Sequence, residues 1–432
     1  MNNVQTAEYV LNAIRSAGAD KGECTASDSV KTEVYYESGK ISMLRSVFNT
    51  NVSVKLIKDG KKGRVGLNST DPEKLDKAVA NAIEASADAI PDPEDDVAEL
   101  TENADFVRGE LTPDREGMYN ALRAFVDTVK AEYPSISFDS ISVEHNLRES
   151  TYLNTNGVRF TSRRGGYQFS VMFMAKDGDK TSSFIAGGAE FDDINKPLID
   201  HGMVRRLLEE GVRQVETRVI EGKLEGGEVI LSPTCVAEMI AYVQGNFISD
   251  GVLMDGTSLW KDSLGAEVAA PCFTWKECPC SPELAGGYSL TGDGYAVKDM
   301  PVIEKGVLKN FTLSRYGAAK TGLSRSANYG GCPIVDAGDT ALEDMISSTE
   351  SGIIMNRFSG GSPGANGDIT GVAKNSFLIE KGRVTDALSE VMISGNLAAM
   401  LKDIVEISRE RVNDGSSILP WIKVRNVVIS GK

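Results

Sequence analysis

Apolar positions in residues 6–17 recur with helical spacing: Tyr9, Val10, Ala13, Ile14 and Ala17 share one face, and Gly18 ends the run. The pattern then changes to alternation. Residues 30–37 and 41–58 are rich in Val, Ile, Tyr and Thr and are punctuated by Ser38-Gly39 and Asp59-Gly60, which predicts antiparallel hairpins. A second helix starts where Asp71 can cap and Pro72 takes the first helical position, with Leu75, Val79, Ala82, Ile83 and Ser86 on one face. Residues 89–105 are acidic, hold two prolines and read as a linker.

The same order then recurs. Thr112-Pro113 opens a predicted helix carrying Met118, Leu122, Phe125, Val126 and Val129, which Pro134 ends. Strand-like runs follow at 136–143, 150–154, 158–162, 168–176 and 181–186, divided by Asn156-Gly157 and Asp177-Gly178, before a helix over 196–218. This repetition suggests a duplicated α+β unit. From Gly226 the chain becomes glycine-rich and β-like, with one helix opened by Ser232-Pro233 and running to about Gln244, and another over 396–408. Regular strands with glycine turns predict a closed or strongly curved antiparallel sheet. The expected class is α+β, with units at 1–105 and 106–225, able to form one domain of helices and antiparallel sheet. A C-terminal, antiparallel β-barrel-like domain with few helices is expected at 226–432.

The chain has 432 residues, with 46 Lys plus Arg against 62 Asp plus Glu, a formal charge of −16. Such a field repels phosphate backbones, so no direct nucleic-acid contact is expected. No apolar run reaches membrane-spanning length and the first ten residues do not resemble a signal peptide, so a cytoplasmic location without membrane attachment is expected. Six irregularly spaced cysteines do not form a disulfide framework.

Only two histidines exist, His145 at a strand end and His201 in a predicted amphipathic helix. A zinc protease of the usual kind needs two histidines one turn apart with a glutamate beside the first, and no such pair is present. Gly360-Gly361-Ser362-Pro363-Gly364 matches G-x-S-x-G, but the residue after the serine is Pro363, which has no N–H for an oxyanion. Cys272, Cys278 and Cys280, with Cys332 further on, offer four thiols at spacings unlike a zinc ribbon, and read as free loop cysteines. The residues therefore nominate no catalytic group and no metal ligand.

A resemblance adds to this reading. Gly306-Val307-Leu308-Lys309-Asn310-Phe311, Ser314-Arg315-Tyr316-Gly317-Ala318-Ala319, Asn328-Tyr329-Gly330-Gly331 and Ile393-Ser394-Gly395-Asn396-Leu397 resemble, in order, the PmbA (TldE) branch of the TldD/PmbA metallopeptidase family. The family's older label is modulator of DNA gyrase. The resemblance implies a dimer working in intracellular peptide proteolysis. It implies that the TldD branch's H-E-x-x-x-H falls on the helix reading Glu238-Met239-Ile240-Ala241-Tyr242-Val243, and its G-x-C on Gly415-Ser416-Ser417. Those ligands are missing here. The expectation is a zinc-less, non-catalytic TldE-like subunit, with zinc supplied by a TldD-like partner and unfolded or extended peptides as substrates. Asn328, Gly330, Gly331, Gly361 and Gly364 are candidates for lining the substrate cleft. The alternative is a homodimeric peptide-binding or scaffold protein without protease activity. A weaker third is a hydrolase using the cysteines or an unrecognised carboxylate site.

Overall fold

The computed structural model describes residues 1–224 and 227–431, so the boundary expected at 225/226 lies outside the described residues. The N-terminal half is built on two long strands. Lys21–Glu37 pairs antiparallel with Ile136–Asn154 from Glu23↔Asn154 to Glu37↔Ser140, at the centre of a nine-stranded sheet. Lys40–Lys58 and Lys61–Leu67 extend it on one side. On the other side Ile136–Asn154 is shared, its first half pairing with Tyr167–Asp177 and its second with Arg159–Arg164. Strands from both sides of residue 105 thus belong to one sheet.

Alternation decides the two faces of that sheet. Cys24, Ala26, Val52, Val54 and Leu56 bury themselves under the helices Asn3–Ser16 and Pro72–Asp88. Further along, Val34, Val143, Phe169 and Val171 pack with residues of Arg115–Glu132 and Val204–Arg213. The intervening positions, including Thr25, Ser53, Ser150 and Ser162, form a polar opposite face. Asp71 caps its helix by accepting the Lys74 N–H at 3.3 Å. The next helix starts two residues later than its Thr112-Pro113 signal, because Asp114 is the cap and accepts the Gly117 N–H at 2.9 Å.

The acidic segment expected as a linker is fastened instead. Asp92 accepts from Tyr316 and Lys320 at 2.7 Å each, Asp96 pairs with Lys21 at 2.7 Å, and Val97 and Ala98 are buried. Its aspartates bind the first unit and the C-terminal region together. Residues 104–108 then form a strand parallel to Arg159–Arg164.

The C-terminal region holds a ten-stranded and a four-stranded sheet. The ten-stranded path runs from Val307–Leu308 to Arg383–Ala387, strands that do not pair with each other, so it is open and not a barrel. Nor is it purely antiparallel, since Glu228–Leu231 runs parallel to Ser351–Met355, and Pro333–Val335 to Ile418–Val424. Helix and irregular chain between these segments lets the chain return in the same direction, as a hairpin cannot. Both glycine hairpins form as expected: Lys305 and Gly306, then Lys381 and Gly382, have the paired positive φ of a two-residue turn. The late helix is only Leu397–Lys402. Residues 404–413 turn into a strand beside Ile418–Val424, burying Ile404 and Ile407.

Candidate functional site

The helix Pro233–Val243 is where the resemblance would put the TldD branch's H-E-x-x-x-H. Ser232 and Pro233 set its start, and its apolar side packs into the C-terminal core through Val236, Met239, Ile240 and Val243. Glu238 is half-buried and accepts the Tyr242 hydroxyl at 3.0 Å, one turn on. Burial raises its pKa, opposed by that bond and by Arg357. Beside it lies a cavity of about 30 Å³ walled by apolar side chains such as Met239, Phe358, Ile393 and Met400. No position of this helix carries a histidine. Ser417, the other implied ligand position, is buried, and its hydroxyl is 3.1 and 3.2 Å from the two Asp414 carboxylate oxygens. One carboxylate at an apolar cavity and an engaged hydroxyl fall short of the three His, Cys, Asp or Glu ligands that hold a catalytic zinc. Among the described residues no three His, Cys, Asp or Glu side chains are grouped to hold a metal.

Both histidines are locked in packing. His145 is buried, its Nε2 is 2.7 Å from the Glu110 carbonyl, and its ring meets Tyr167 edge-on. His201 is not in a helix. It lies at the bend between the short turn Leu198–Asp200 and the helix Val204–Arg213, stacked on Phe191 with centroids 4.1 Å apart. Burial, assisted by Lys196, lowers its pKa to about 4, so the ring is neutral at physiological pH. Among the cysteines, Cys272 and Cys280 are exposed while Cys278 and Cys332 are buried. Burial pushes Cys278 up to about 11 and Cys332 up to about 12, which keeps both as thiols.

The glycine segments meet the same helix end. Gln244 donates to the Tyr329 carbonyl at 2.7 Å, and a Cβ on Gly330 would fall 2.3 Å from its amide. On the other side Gly367 lies against Phe247. The five candidate residues divide by environment. Asn328 is fully buried, its amide donating to the Glu277 and Lys298 carbonyls at 3.2 and 2.8 Å and its oxygen accepting the Gly330 N–H at 2.9 Å. It is the keystone of its loop. Gly330 is buried, whereas Gly331, Gly361 and Gly364 are exposed, and a Cβ on Gly331 or Gly361 would meet nothing within 4 Å.

Two features escaped the sequence reading. Glu277 is fully buried, accepts the Cys332 N–H at 2.7 Å and the Trp275 indole at 2.9 Å, and is raised to about 7 by burial. The second is a cleft over the polar sheet face, lined among others by Arg64, Arg148 and Arg164. Alternation in the strands signals that such a face exists. It does not signal that the C-terminal region covers it.

Three comparisons bear on the fold and its relatives. Residues 23–86, 109–217 and 225–431 match, in order, the descriptions PmbA/TldA metallopeptidase domain 1, central domain and C-terminal domain. Metalloprotease PmbA of Escherichia coli O157:H7 is 23% identical over 436 residues, covering 95% of this chain and 93% of that one. The crystal structure of TldE from Thermococcus kodakarensis superposes with a TM-score of 0.83 at 21% identity, covering 98% of this chain and 100% of that one. A Bacteroides thetaiotaomicron structure labelled as a modulator of DNA gyrase gives 0.85 at 18% identity, covering 100% and 99%. Matches to all three domains in their family order, together with an α+β fold shared along the whole chain, place this protein in the PmbA/TldD metallopeptidase family.

Proposed function

We propose that this chain is a non-catalytic, TldE-like subunit that pairs in the cytoplasm with a zinc-bearing TldD-like chain, and that the pair cleaves unfolded or extended peptides. The observation carrying this reading is the helix Pro233–Val243. It keeps its place in the family's C-terminal domain, yet presents one carboxylate beside a small apolar cavity and no imidazole. Without a metal, nothing on this helix can bring a water's pKa near ~7, as a catalytic zinc does. The zinc and the nucleophile belong to the partner. This subunit completes the chamber, and the exposed backbone at Gly331, Gly361 and Gly364 gives an extended peptide room to lie close. No helix among the described residues is long and apolar enough to cross a membrane.

Reconstitution tests the reading. Purified alone, the chain should contain no stoichiometric zinc and should leave an unfolded peptide intact. Mixed with a TldD-like chain of the same organism, it should form a complex whose cleavage is abolished by chelation and by replacing the partner's H-E-x-x-x-H glutamate. Glu238→Gln in this chain should leave that activity intact. Cleavage by the isolated chain that Glu238→Gln removes, with the fold preserved, would make it a self-sufficient hydrolase. A stable homodimer that takes up no TldD-like partner would instead favour a peptide-binding or scaffold role.

A further inference from the structure

The polar face of the nine-stranded sheet is partly covered by the C-terminal region. Residues 288–292 of the C-terminal region stand over it and help enclose a cleft of about 430 Å³. Strand pairing fixes the floor. Thr25 is opposite both Ser53 and Tyr152, Ser150 is opposite Ser162, and Arg148 is opposite Arg164. Directly opposed residues point to the same side, so these groups share one surface.

The opposed arginines favour an anion. Like charges directly across a strand pair are destabilising, so an anion bound between them would relieve the repulsion. Arg164 is partly compensated, donating to Glu190 at 3.1 Å and to the Ala285 carbonyl at 3.2 Å. Arg148 has neither an ion-pair nor a hydrogen-bond partner among the described residues. Neighbouring arginines show that partners are available in this sheet: Arg159 pairs with Asp105 at 3.3 Å and Arg163 with Glu149 at 2.5 Å. A second cleft of about 220 Å³ is also bordered by Arg148 and Arg164, so the pair stands where two openings meet. Three guanidinium groups and one carboxylate, Glu23, line the larger cleft, although the chain as a whole carries −16.

We infer that this cleft holds the carboxylate of an extended peptide, with the Arg148 and Arg164 pair as its receptor. A guanidinium fork matches a carboxylate by two parallel hydrogen bonds. The serines and threonine of the floor supply donors and acceptors for peptide amides. From the Thr25 row to the Arg148 row is four residues along the strand, about 13 Å at a strand's rise, room for a short extended segment. The inference rests on the peptide-handling role proposed above and names the chemistry that this subunit contributes to it.

The test uses the full chain alone and fluorescein-labelled Gly-Ser peptides, read by anisotropy at low ionic strength. One peptide ends in a free carboxylate, one in an amide, and one in an amide with an internal glutamate. The free-acid peptide should bind at least about tenfold more tightly than the plain amide, the loss expected for one charged hydrogen-bonded pair. The internal glutamate separates a terminal carboxylate from any carboxylate: full recovery of affinity assigns side-chain carboxylates as ligands too, and no recovery assigns the terminus. Arg148→Gln should make the acid and amide peptides equal, and Arg148→Lys should restore part of the difference. Arg148 is exposed, so the fold should survive both changes. Equal binding of acid and amide by the wild-type chain, no binding of any peptide, or an acid preference that survives Arg148→Gln would each overturn the inference. Because no partner is present, these outcomes are independent of pairing. A chain that joins a TldD-like partner but fails this test loses only the carboxylate site.

Discussion

At the scale of single residues, Glu277 shows how burial can set a pH dependence far from any catalytic group. Its carboxylate is enclosed without a cation beside it, and two N–H donors only partly offset the loss of water. The folded pKa is raised to about 7 from an ordinary 4.5. Between those values the folded chain keeps a proton that the unfolded chain releases. The stabilisation is therefore complete below about pH 4.5 and lost as pH rises through about 7, roughly 3 kcal/mol in all. Glu277→Gln cannot titrate, but its NH₂ must face one of the two donors, so the variant starts out weaker by about 1–3 kcal/mol. Urea denaturation of both chains from about pH 4 to pH 8 should show the wild-type advantage shrinking toward alkaline pH. Parallel profiles would mean that Glu277 is ionised throughout. Nothing in Trp275-Lys276-Glu277 marked this glutamate in the sequence, because its enclosure is made by Cys332 and Asn328, some fifty residues away.

At the scale of elements, legibility followed the locality of the cause. Asp71-Pro72, the Lys305-Gly306 and Lys381-Gly382 turns and the Ser232-Pro233 helix start depend on neighbours in the chain, and all formed where expected. The fastening of the acidic segment 89–105, the short helix Leu397–Lys402 and the bend at His201 depend on distant partners, and the sequence did not show them for that reason. The two glycine segments show the same division and can be told apart by substitution. Gly330 has φ +81°, and a Cβ there would strike the Gln244 amide, so Gly330→Ala should cost about 1–3 kcal/mol and lower the melting temperature. Gly361 has open space around its Cβ position, so Gly361→Ala should stay within about 0.5 kcal/mol of wild type. In the reconstituted complex, Gly361→Ala should nevertheless reduce kcat/KM for an unfolded peptide several-fold. Unchanged kcat/KM would reduce residues 360–371 to a plain turn.

At the scale of the whole molecule, sign and placement of charge separate peptide from nucleic acid. Some relatives carry a gyrase-modulator label, which invites the idea of a DNA contact. A duplex binds by exchanging condensed counterions for protein cations, and that gain requires basic groups spread over an accessible convex or grooved surface. Here the chain carries −16, and of its arginines Arg148 and Arg164 sit together under the segment 288–292, with Glu23 and Glu190 beside the same clefts. A cleft of about 430 Å³ admits a short peptide but not a double helix roughly 20 Å across. The isolated chain should therefore show no measurable duplex binding near 0.15 M salt, and Arg148→Gln, which abolishes carboxylate preference, should change nothing in that assay. Titrations at several salt concentrations decide the matter. A log–log affinity slope much steeper than about −1 would require several phosphate contacts at once, and so a basic surface outside the cleft. A flat or absent response would leave this chain without a direct contact to DNA.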